Sequence, residues 1–76
     1  MAKNKEEIRV VRKIRRIEFW YKDEFYVYEF RSENNTGYSF IWKDGARIYG
    51  PMINHSTEEG IEVYNAIQPK IVNKEI

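Results

Sequence analysis

Between Phe19 and Tyr49 the chain alternates in polarity every second residue, and eleven of its twelve aromatic side chains fall in this stretch. A period of two is that of a half-buried strand. The pattern predicts strands over 17–21 and 25–32, joined through Lys22-Asp23-Glu24, then a polar loop over 33–37 made of turn-forming residues. Strands over 38–43 and 46–50 then flank Asp44-Gly45, a pair that suits the type I′ turn because both residues tolerate positive φ. That turn sets Lys43 opposite Ala46, Trp42 opposite Arg47, Ile41 opposite Ile48 and Phe40 opposite Tyr49. One face of this hairpin then holds Ser39, Ile41, Ala46 and Ile48, and the other Tyr38, Phe40, Trp42, Arg47 and Tyr49. With a loop at 22–24, Ile17, Phe19, Tyr21, Phe25 and Val27 share one face of the first hairpin, while Trp20, Tyr26, Tyr28, Phe30 and Glu18 share the other.

Two other segments carry helical signals. After Pro51, Ser56-Thr57-Glu58-Glu59 has the form of a capping box, and it predicts a helix from Thr57 to about Gln68, ending before Pro69. Ile61, Val63, Tyr64 and Ile67 are its packing residues, and Gly60 marks a place where a backbone approaches closely. Residues 6–16 read as a basic amphipathic helix, with Val10, Val11, Ile14 and Ile17 on one arc and Arg9, Arg12, Lys13 and Arg16 on the opposite one. Their β-branched content also suits a strand. The expected architecture is α+β: an antiparallel meander of three or four strands, a C-terminal packing helix and a basic N-terminal helix.

At 76 residues this is one domain, 1–76, with 1–6 and 70–76 as flexible ends. The chain has no cysteine and a single histidine, His55, so neither disulfides nor an ordinary zinc site is expected, and no metal or cofactor. No apolar run is long enough for a membrane span, which points to a cytoplasmic protein. Net charge is close to zero but uneven. Residues 1–16 hold seven of the thirteen basic side chains and two of the twelve acidic ones, a net +5 against −4 for the remainder. This suggests a basic contact segment on a mildly acidic body.

Catalysis is not expected. His55 adjoins Ser56, whose hydroxyl is suited to the helix cap, and the adjacent acids Asp23-Glu24 and Glu58-Glu59 fall in a turn and a cap. Asn34-Asn35-Thr36-Gly37 lacks the glycine spacing and lysine of a phosphate loop. The aromatic surplus is the main clue. Either two helices sandwich the sheet and every ring is core, or one face stays open as a platform for bases or a protein surface.

The residues from Ala46-Arg47-Ile48-Tyr49-Gly50 through Ser56-Thr57-Glu58-Glu59-Gly60-Ile61-Glu62-Val63-Tyr64-Asn65-Ala66 resemble the end of the three-stranded DNA-binding domain of plant ethylene-response factors and, more loosely, phage integrase arm-binding domains. The resemblance spans about residues 25–67 and implies a sheet face that enters the major groove, with Trp42, Arg47, and Arg31 or Lys43 as DNA contacts. Gly60 stands where that family has an alanine, and Glu29, Glu33 and Asp44 stand where it has more basic residues. Double-stranded-RNA-binding domains share the element order, but their last helix opens on lysines, and this one opens on Glu58-Glu59.

The expected function is thus a small non-enzymatic binding protein, of the kind phages or mobile elements encode, that contacts nucleic acid through Arg9, Arg12, Lys13, Arg16, Trp42, Arg47 and Tyr49. The alternative is an inhibitor or adaptor that binds a host protein, such as an anti-defence protein. An uncovered face or edge strand also predicts a homodimer.

Overall fold

The structure, a computed structural model, describes residues 8–52 and 56–73; the expectations for 1–7, His55 and 74–76 lie outside them. Four strands form one antiparallel sheet in chain order: β1 (Arg12–Tyr21), β2 (Glu24–Glu33), β3 (Thr36–Lys43) and β4 (Ala46–Tyr49). One helix, α1 (Glu58–Val72), packs on a single side of it. The α+β meander with a C-terminal helix is therefore the fold.

All three hairpins turn through two residues. Lys22-Asp23, Asn34-Asn35 and Asp44-Gly45 all have positive φ, the signature of the type I′ turn, whose twist matches that of the flanking strands. Tyr21 consequently pairs with Glu24, and Glu33 with Thr36. The expected loops were three residues long in the first hairpin and five in the second. Removing one residue from the first turn moves every β2 side chain to the opposite face. Tyr26, Tyr28 and Phe30 join Ile17, Phe19 and Tyr21 on one side, and Phe25 and Val27 join Glu18 and Trp20 on the other.

The expected helix over 6–16 is corrected where it is described: residues 8–11 are irregular and Arg12–Arg16 begin β1. An isolated helix of that length is marginal in water, whereas the ten-residue β2 offers every residue of β1 a partner. The pairing even extends past the strand, where the Asn34 amide donates to the Val11 carbonyl at 3.2 Å. Within β1, the β-branched Ile14 and Ile17 fit this pleated surface.

The core lies between α1 and its face of the sheet. Tyr26, Tyr28, Ile41, Val63 and Ile67 are buried, with Ile17, Phe19, Tyr21, Phe30, Ile48, Tyr49, Tyr64 and Ile71 packed around them. Both buried phenols are satisfied, Tyr26 donating to Glu59 at 2.5 Å and Tyr28 sharing a bond with Ser39 Oγ at 3.1 Å. Along the helix, Gly60, Val63 and Ile67 make the buried stripe. Ile61, expected to pack, is exposed.

The N-cap falls one residue later than expected, on Thr57, whose Oγ1 accepts from the Gly60 amide at 2.9 Å. The Ser56 hydroxyl instead pins Gly50, accepting from its amide and donating to its carbonyl. Helix α1 also continues through Pro69 to Val72. Only the Asn65 carbonyl loses a partner there, and the extra turn brings Ile71 onto the core. At Gly60 the close approach is real: a Cβ there would stand 1.9 Å from the Ile48 carbonyl oxygen.

Candidate functional site

The face of the sheet opposite α1 collects Ile14, Arg16, Glu18 and Trp20 from β1, and Phe25, Val27, Glu29 and Arg31 from β2. Pairing continues it through Tyr38, Phe40 and Trp42 of β3 to Arg47 of β4. No element among the described residues packs over it. Trp20 is 72% exposed, Ile14 56%, and Phe25 and Tyr38 42% each. The reading in which two helices take every aromatic into a core is thereby excluded for the described residues.

Rings and guanidinium groups are interleaved across this surface. Trp20 and Phe25 pair edge to face at 5.3 Å. Phe40 is buried although it lies on the open side, because Arg31 and Arg47 lie over its ring, 4.9 and 5.2 Å from the centroid. Trp42 is half-buried and its Nε1 donates to Glu29 Oε1 at 3.0 Å. Each of three arginines meets one glutamate: Arg12 with Glu33 and Arg16 with Glu18 at 3.2 Å, Arg31 with Glu29 at 3.4 Å. Two shallow hollows lie between these groups. One of about 270 Å³ is walled by Arg16, Val27, Glu29 and Trp42. The other, about 460 Å³, is walled by Arg12, Ile14, Arg31, Tyr38 and Phe40.

The structure brings together four of the seven residues singled out in the sequence: Arg12, Arg16, Trp42 and Arg47 share the open face. Arg9 is exposed just before β1. Lys13 falls on the helix side, since alternation in a strand separates it from its neighbours. Tyr49 also departs from expectation. A bulge between Ile41 and Trp42 sets Tyr49, not Ile48, opposite Ile41, and its ring stacks on Tyr64 at 4.4 Å beneath α1. Arg47 does pair with Trp42 across the strands, but its guanidinium covers Phe40 instead of the indole.

Sequence reasoning missed Phe25 and Glu29 as open-face residues and placed Trp20 on the wrong side of β2's aromatics. The signal was present in Asp23, which accepts positive φ more readily than most residues and so permits the two-residue turn. Lys43, offered by the resemblance as the alternative to Arg31, lies on the opposite face. There its ammonium bonds Glu59 at 2.7 Å and Glu24 at 3.4 Å, and the bond to Glu59 raises its pKa. Glu59 is lowered in turn, by Lys43 first and Tyr26 second. Burial, then the bond to Glu59, pushes Tyr26 up to about 12. Beside them Glu62 accepts from Lys22 at 2.8 Å and Tyr21 at 3.0 Å. These groups tie α1 to the sheet.

The open face therefore offers aromatic stacking surfaces and planar cations with displaceable carboxylate partners. Surface ion pairs of this kind contribute about 0–1 kcal/mol, so a stronger anion can take an arginine from its glutamate. No helix among the described residues is long and apolar enough to cross a membrane. The class of protein is set by the fold alone, a four-stranded meander covered on one side. No family model, curated protein or solved structure matches it.

Proposed function

We propose that this protein is a non-enzymatic nucleic-acid-binding module that stacks bases on the open face of its sheet. The observation that carries the reading is the interleaving of Trp20, Phe25, Tyr38 and Trp42 with Arg12, Arg16, Arg31 and Arg47 on a face that no described element covers. A nucleic-acid strand presents a base with two π-faces and one backbone phosphate per nucleotide, which suits this alternation of rings and guanidinium groups. Ten-residue strands run about 33 Å, long enough for several nucleotides. Arg9 and Arg12 extend the cationic surface beyond the rings.

A protein partner is the second reading, favoured by one observation. Glu18, Glu29 and Glu33 answer Arg16, Arg31 and Arg12 one for one, which leaves that part of the face charge-balanced. Trp20 beside Phe25 would then be the anchor of an inhibitor or adaptor interface.

Fluorescence anisotropy with labelled single strands and duplexes, at about 50 mM salt and again at higher salt, separates the two. Nucleic-acid binding predicts affinity that falls with salt, weakens in Arg47→Ala and strengthens in Glu29→Gln, which keeps the acceptor for Trp42 but removes a negative charge. No binding at low salt overturns it. A partner protein retained from lysate after nuclease treatment, and lost in Trp20→Ala, then supports the second reading.

A further inference from the structure

We infer that β1 is a dimerisation edge, pairing antiparallel with β1 of a second copy about a two-fold axis at Ile17. The two edges of the sheet are treated differently. Strand β4 is four residues long, bulged, and bonded to the start of α1, where the Thr57 amide donates to the Ile48 carbonyl at 2.8 Å. Strand β1 is ten residues long, has no proline or bulge, and among the described residues its outer side meets no other strand.

The geometry of the first hairpin fixes which groups face outward. Residues flanking a two-residue turn exchange both backbone bonds, so Tyr21, Phe19, Ile17, Arg15 and Lys13 bond to β2. The N–H and C=O groups of Ile14, Arg16, Glu18 and Trp20 point away from the sheet. A two-fold axis through Ile17 sets Arg16 against Glu18 of the second copy and Ile14 against Trp20, each pair exchanging backbone bonds, about eight in all.

Charge selects this register. On the open face Arg16 and Glu18 already lie 3.2 Å apart within one chain, so the axis closes them into a ring of four alternating charges. Ile14 and Trp20, 56% and 72% exposed, cover each other. On the helix side Arg15 lies against Phe19 and Lys13 against Tyr21, cation over ring in both cases. An axis one residue earlier opposes Arg16 to itself, and one residue later opposes Glu18 to itself. The resulting eight-stranded sheet joins two open faces into one surface, and the pairing needs no nucleic acid.

Light scattering on the nucleic-acid-free protein, from micromolar to millimolar concentration, tests the proposal. The wild type is expected to pass from monomer to dimer, and Glu18→Arg to raise the dissociation constant on the order of tenfold by opposing like charges at both ends of the ring. The double variant Arg16→Glu/Glu18→Arg restores alternation and is expected to restore the dimer. Both side chains are exposed, so far-UV circular dichroism should remain that of the wild type. A monomer at every concentration, or a dimer indifferent to Glu18→Arg, overturns the assignment.

Discussion

Replacing Gly60 with alanine sets two effects of opposite sign against each other. In an exposed helix interior the change gains about 0.8–1 kcal/mol from propensity. Here the new methyl group would lie 1.9 Å from the Ile48 carbonyl oxygen, short of the 3.4 Å of ordinary contact by 1.5 Å, and 3.1 Å from Tyr49 Cβ. The oxygen cannot swing aside, because it accepts from the Thr57 amide at 2.8 Å and from the Thr57 hydroxyl at 3.3 Å. Helix and strand must therefore separate. That loosens the cap, the Tyr49–Tyr64 stack and the burial of Val63, for a net loss of about 2–4 kcal/mol. In a domain of this size such a loss lowers Tm on the order of 10–30 °C. Urea and thermal unfolding followed by circular dichroism measure it, with Asn65→Ala on the exposed side of the helix as a control expected to gain a few tenths of a kcal/mol. A neutral or stabilised Gly60→Ala would refute the close approach on which the placement of α1 depends.

Three further outcomes follow from the same geometry. Asn35 holds φ 67° at the second position of a type I′ turn, so Asn35→Gly should raise stability by up to about 1 kcal/mol in urea unfolding; destabilisation would argue against the two-residue turn. Absorbance titration should find one tyrosine ionising near pH 12. The raised pKa of Tyr26 means its contribution is intact below the ordinary value of 10 and is lost as pH climbs through 12, and Tyr26→Phe should abolish that late step. At the acid end the signs reverse. Glu59 and Glu62 have lowered pKa values, so the stability they lend is present above the usual carboxylate range and fades as pH falls below it, a dependence that Glu59→Gln should reduce.

The Asp44-Gly45 hairpin was legible because one dipeptide specified its turn, and with it the pairing of Trp42 with Arg47. Register failed one residue farther on, where the bulge inserts Ile48; nothing in Arg47-Ile48-Tyr49 announces an extra residue, since the Ile48 carbonyl is bonded by the Thr57 amide from outside the sheet. Lys22-Asp23-Glu24 was harder. A lysine at φ 51° is an uncommon choice, and it is tolerated because its ammonium reaches Glu62 on the helix, a contact no local pattern contains. The N-terminal segment misled for the opposite reason. Its spacing fits a helix as well as a strand, and only the length of β2 decides between them. Trp42 and Arg47 came together through the one turn that was read correctly, whereas Arg12 and Arg16 join them through β1 and the two turns that were not.

The central claim is that the uncovered face, and not the helix side, receives nucleic acid. Backbone and indole NMR titration with a short single-stranded oligonucleotide at low salt tests it most directly. Shifts concentrated at Arg16, Glu29, Arg31, Trp42 and Arg47, with the Trp42 Nε1 proton moving as Glu29 is displaced and Tyr64 and Val63 unmoved, are the expected result. An unchanged spectrum, or shifts confined to α1, would contradict it.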